Sequence, residues 1–175
     1  VPKYRKTLND LKAPYIKDLM KQIETQSKDT LILWAVQYSK IVMLPIWLKY
    51  RPEDERPQNA LDSALKWKDK IIKLPEAKKA ILSCHQAARE SEEIPMAQGV
   101  ARAMAHSAST IHSARHCIGL ALYGALAVAY ETLGTDAKWE ALEECAAQEC
   151  GRMLEYLKEI SIEKEENPAK IFWKD

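Results

Sequence analysis

The stretch MAQGVARAMAHSASTIHSARHCIGLALYGALAVAY (Met96–Tyr130) decides the fold. Its charged residues are Arg102 and Arg115 alone, and it carries His106, His112 and His116 in the order H-x5-H-x3-H. Helix of this length with so little charge belongs inside a protein. Ala97, Ala101, Ala105 and Ala108 recur by three and four, and Gly119, Ala121, Gly124, Ala125 and Ala129 continue the small-residue theme. Small side chains let helix axes approach to the near end of the ~8–10 Å range. Thirty-odd residues is long against a typical helix of about 11–12, so a break is expected near Thr110–Ser113, where Ser113 offers a cap.

Outward from this centre the pattern is helical throughout. No run of alternating β-branched and aromatic residues marks a strand. A first helix is expected over Leu8–Thr25, with Pro14 starting or kinking it. A second follows Asp29 as its cap and runs Thr30–Tyr50, apolar on nearly all sides and bent by Pro45. In the next, Ala60, Leu61, Ala64, Leu65, Trp67, Ile71 and Ile72 share a face. Leu74-Pro75 then opens another, with Ala77, Ala80, Ile81, Cys84, Ala87 and Ala88 inward. After Gly134 the last helix is expected to be capped by Thr135 or Asp136, with Trp139, Leu142, Ala146, Cys150, Met153, Leu157 and Ile160 in one stripe. The fold class is therefore all-α: a single domain over 1–175, about six or seven helices in an irregular bundle around an alanine-rich central pair.

Net charge is +1 in 175 residues, which gives no global case for nucleic acid. The distribution is uneven. Residues 1–28 hold seven Lys/Arg against three Asp/Glu, and residues 131–166 hold eleven acids against four bases. The acidic end is a solvated helix face or a docking surface for a basic partner, with Glu140, Glu143, Glu144, Glu155, Glu159 and Glu163 as the candidates. Residues 3–28 are charged throughout, unlike a secretory signal, and the uncharged run Cys117–Tyr130 is short for a bilayer, so a soluble, cytoplasmic protein without a membrane partner is expected. The four cysteines lack CxxC spacing and read as reduced thiols.

The chemistry-bearing residues point to no particular reaction. His106 shares a stripe with Gln98, Arg102 and Ser109 and is expected on a polar edge, turned away from the other two histidines. His112, Arg115, His116 and Tyr123 form a polar-tipped stripe that either lines a ligand pocket or is satisfied inside the bundle. His-x3-His suits a metal, but the Glu of HExxH is absent and a third ligand would have to come from Cys84 or His85, so no metal and no cofactor are expected. Asp54 and Arg56, in the turn Arg51–Pro57, form an intramolecular cap and salt bridge or hold a partner. The tail Ile171-Phe172-Trp173 docks on its own core or on a second subunit of a homodimer.

Taken together, Trp34-Ala35, Leu44-Pro45, Pro52-Glu-Asp-Glu-Arg-Pro57, Ala64, Trp67, Cys84-His-Gln-Ala-Ala-Arg89 and Ala105-His106-Ser-Ala-Ser-Thr-Ile-His112-Ser-Ala-Arg-His116-Cys-Ile-Gly119 resemble a bacterial family of putative immunity proteins from toxin–immunity systems. The similarity covers roughly residues 30–135. It implies an all-helical cytoplasmic domain that binds and neutralises a cognate toxin, and it carries over no catalytic residues. The leading expectation is a non-enzymatic immunity protein for a basic toxin. The rivals are a small-molecule-binding protein or enzyme using the His/Arg/Tyr stripe, and an obligate homodimer.

Overall fold

The computed structural model describes residues 3–173, and among them every regular element is helical. The order is α1 (Pro14–Ile23), α2 (Lys28–Tyr38), a π-turn (Ser39–Met43), α3 (Leu44–Tyr50), α4 (Arg56–Lys68), α5 (Leu74–Arg89), α6 (Pro95–Ser109), a 3-10 turn (Ala114–Ile118), a second π-turn (Leu120–Ala125), α7 (Leu126–Leu133) and α8 (Trp139–Ile160). With α2 and α3 joined through their π-turn, these are seven helical segments packed as one bundle.

Alpha-helix α6 is the hub. It packs on α5, α4, α3, α2 and α7 and on both π-turns, and Ala97, Ala101, Ala103, Ala105 and Ala108 are all buried. The alanines do what small residues allow. Gly99 lies so close to Ala127 that an added Cβ would stand 2.7 Å from that residue's Cβ. Helices α4 and α5 cover one side of this centre; α8 lies on the other, against α7, α1 and α2. Buried Trp34 donates its indole N–H to Met153 O at 3.0 Å, tying α2 to α8. Buried Glu149 of α8 accepts from Tyr38 and from Arg152 (Nη2–Oε1 2.8 Å), so its charge is compensated.

Several boundaries differ from the sequence reading, each for a local reason. Helix α1 begins at Pro14, because Leu8 enters the core on extended chain and not on a helix. Ser27, not Asp29, caps α2, accepting from Thr30 N. Pro45, which lacks an N–H, falls in the first turn of α3 and the preceding π-turn absorbs the disruption. Helix α4 stops at Lys68, which leaves Ile71 beyond the apolar face at 69% exposure. Lys138, not Thr135 or Asp136, occupies the N-cap of α8 and makes no side-chain cap. Lys28–Tyr50 and Ala114–Leu133 are each long and apolar enough to cross a membrane by length and composition, correcting the shorter span read from the uncharged run alone. In the bundle, half of the first span and 61% of the second are buried, packed against α6 and α8.

The two chain ends fold back on the bundle. Residues 3–12 form a strap without regular structure: Leu8 N and Thr7 Oγ1 both donate to Leu122 O (2.9 and 3.2 Å), and Tyr130 donates to Arg5 O at 2.7 Å. The tail is pinned by buried Gln26, which exchanges hydrogen bonds with Ile162, and by Trp173, whose indole donates to Glu24 at 2.6 Å. Phe172 between these contacts is 83% exposed.

Candidate functional site

The alanine-rich stretch breaks at Thr110–Ser113, as its length requires, and the chain returns as the 3-10 turn. Ser113 sits at the cap position, although its side chain caps nothing. The return lays Gly119 directly beneath His106: an added Cβ at Gly119 would be 2.4 Å from the His106 Cβ and 2.6 Å from its Cγ. The imidazole therefore fits only above a residue without a side chain. The second π-turn then brings Tyr123 face to face with His106, with ring centroids 4.9 Å apart.

All four histidines meet in one row. His85, from α5, stands edge-on to His106 at 5.5 Å; His116 lies 5.9 Å from His106; His112 lies 6.4 Å from His116. This corrects the expectation that His106 is turned away from the others. That expectation assumed a straight helix, and the turn at 110–113 places His106 at the centre of the row. The sequence reading places His85 only as a possible third metal ligand and Arg102 only on the His106 stripe, and counts neither among the pocket residues; the structure brings both together with His106. Gln98, Arg102 and His106 recur by four on a helix otherwise made of small and apolar residues, and that was the available signal.

Electrostatics keep the inner rings neutral. Arg102 Nη1 lies 2.5 Å from His85 Nδ1, and since guanidinium can only donate, Nδ1 accepts and the ring proton sits on Nε2. Burial, aided by the Arg102 charge, holds His85 down to about 4; burial, aided by His85, holds His106 down to about 4. His116 is lowered by burial and by Arg115. Neutral imidazoles of this kind can ligate a metal, but among the described residues no three His, Cys, Asp or Glu side chains are placed to hold one. Cys84 Sγ is buried and turned to Ala101 O at 3.4 Å, and its thiol is pushed up to about 12 by burial.

His106 and Tyr123 form a floor shared by two cavities, divided by the strap. One, of about 1070 Å³, is lined by Arg102, Gln98, Tyr4, Lys6 and Tyr130 among others. The other, of about 700 Å³, is lined by Arg115, His116, Asp10 and Trp173. Of the expected pocket residues, Arg115, His116 and Tyr123 thus border one cavity. His112 is exposed and lies outside both.

The other candidate residues lie elsewhere. Asp54 and Arg56 hold each other in a two-pronged pair (Nε–Oδ1 2.9 Å, Nη2–Oδ2 2.6 Å), and Arg56 also reaches Glu90. The Asp54 carboxyl is lowered by that hydrogen bonding, and both side chains line a third cavity of about 640 Å³ with Pro52 and Asn59. On α8, Glu140, Glu144, Glu155 and Glu159 are exposed, and Glu163 follows just beyond the helix end. Glu143 differs: it accepts from Tyr15 at 2.8 Å and faces α1.

A family model described as "Imm-5 like putative immunity protein" matches residues 21–156. No curated protein and no solved structure matches. The strap and the tail both fall outside the matched residues.

Proposed function

The chain belongs to the Imm-5 like putative immunity protein family, and from that premise we propose that it binds a cognate bacterial toxin in the cytoplasm and neutralises it by stoichiometric occlusion, without catalysis. The surface nominated for the toxin is the outer face of α8. The observation that supports this is two pairs of exposed like charges four residues apart on one helix, Glu140/Glu144 and Glu155/Glu159, with no cation in ion-pair range of any of the four among the described residues. Like charges four apart on a helix cost ~0.2–0.5 kcal/mol per pair. Arg152 between them is engaged by Glu149. A basic partner would remove this repulsion and be steered to the face at low salt. Four free thiols suit a reducing compartment.

The test is a pull-down at low and moderate salt from the source cell's lysate and secreted fraction, beside a bait with Glu140, Glu144, Glu155 and Glu159 all changed to Lys. A one-to-one, salt-sensitive partner captured by the first bait and lost by the second supports the assignment. Equal capture by both removes α8 as the surface. A toxin identified by other means that the native protein does not bind would end the immunity reading.

A further inference from the structure

Two guanidiniums line the large cavity, Arg5 and Arg102, and among the described residues neither has a carboxylate partner. The single side-chain partner of Arg102 is the neutral His85 ring. The cationic form of Arg102 is weakened first by burial and then by Arg89, which itself binds only the Gln86 amide. The acids on the cavity rim are already taken, Glu92 by Lys6 at 3.1 Å and Glu93 by Arg51 at 2.6 Å. Arg5 is already engaged, since it donates to Thr7 O and Leu8 O and stacks 4.0 Å over Trp139, which leaves Arg102 as the guanidinium with N–H groups to spare. A partly desolvated cation beside neutral imidazoles costs stability unless an anion completes it.

The rest of the cavity is aromatic. The stacked His106–Tyr123 pair forms its floor, and Tyr4 meets Tyr130 edge-to-face at 6.3 Å on its wall. We propose that this cavity, between α6, α7 and the strap, binds a ring-bearing organic anion, its carboxylate or phosphate on Arg102 and its ring against Tyr123 and His106. His85 positions the guanidinium by accepting from it, leaving the remaining N–H groups for the anion. A volume of about 1070 Å³ accommodates such a molecule. The site uses none of the α8 face, so it stands or falls apart from the toxin reading.

Two sets of probes separate the sources of the anion: benzoate and phenylacetate for carboxylates, adenosine and guanosine monophosphates for phosphates. Titration calorimetry on the full chain should show saturable one-to-one binding by one set, with Kd under about 1 mM. Arg102→Gln should weaken it at least about tenfold, whereas Arg115→Gln, on the other cavity, should leave it unchanged. The Tm of Arg102→Gln should equal or exceed that of the native protein, because the substitution removes an uncompensated charge without emptying the core. Absence of saturable binding by both sets, undiminished binding in Arg102→Gln, or a fall in its Tm that marks the guanidinium as structural would each overturn the proposal.

Discussion

The outer face of α8 and the histidine row under the strap are both polar, yet they are built in opposite ways. The α8 face carries full charges that lie open to water and repel one another along a single helix. The histidine row carries rings contributed by α5, α6 and the chain after Thr110; burial keeps His85 and His106 neutral, and His106 is stacked against Tyr123. In the first, none of Glu140, Glu144, Glu155 and Glu159 has an ion-pair partner among the described residues, which is what the toxin proposal rests on. The second is held by ring packing, with Arg102 as a half-buried cation at its margin whose side-chain partner is the neutral His85 ring.

That contrast breaks most severely at Gly119. Because a Cβ there would collide with the Cβ and Cγ of His106, neither of which can swing away, Gly119→Ala should cost about 2–3 kcal/mol. Thermal denaturation should register this as a Tm lower by about 5–10 °C, while the far-UV spectrum of the α8 helix persists. An unchanged Tm would mean the row is not tightly seated.

Acid should separate the regions next. His85 and His106 hold values near 4 when folded, against an ordinary value of 6.5. The unfolded chain therefore binds more protons than the folded one between these limits. Stability should be full above about pH 6.5, fall as the pH drops towards about 4, and stop falling from this source below that. Discounted for partial exposure, the loss is about 2 kcal/mol. Denaturant melts across this range should lose much of the slope in His106→Leu, whereas reversal of the α8 acids should leave this histidine-linked slope in place.

A milder change loosens the strap alone. Tyr130→Phe removes the bond to Arg5 O and should cost about 1 kcal/mol, with faster hydrogen exchange at Leu8 N–H and little change at α8. The smallest effect belongs to the α8 face. Gly151 lies exposed in mid-helix with open space where a Cβ would be, so Gly151→Ala should stabilise by about 0.5–1 kcal/mol. If the same substitution weakens toxin capture, the glycine provides clearance for a partner's backbone.

The sequence made the α8 side far more legible than the histidine row. The inward stripe Leu142, Ala146, Cys150, Met153 and Leu157 is buried as its spacing requires, because one helix determines it. The break at Thr110–Ser113 was legible from length, and the all-helical bundle from composition and periodicity. The meeting of His85, Arg102 and His106 was not, since it depends on where α5 lies against α6 and on a turn whose direction no local pattern encodes. The same holds for the strap: Leu8 looked like a helix start, but what it does is donate to Leu122 O in the second π-turn.

The central claim is that the charge left open on α8, rather than the histidine row, recognises the toxin. It is tested most directly by calorimetric titration of the captured toxin against three proteins: native, the four-fold Glu140/Glu144/Glu155/Glu159→Lys variant, and Arg102→Gln. One-to-one binding by the native protein and by Arg102→Gln, with affinity reduced at least about 100-fold in the α8 variant, is the predicted result. Binding retained by the α8 variant and lost in Arg102→Gln would contradict the account and move recognition to the cavity beneath the strap.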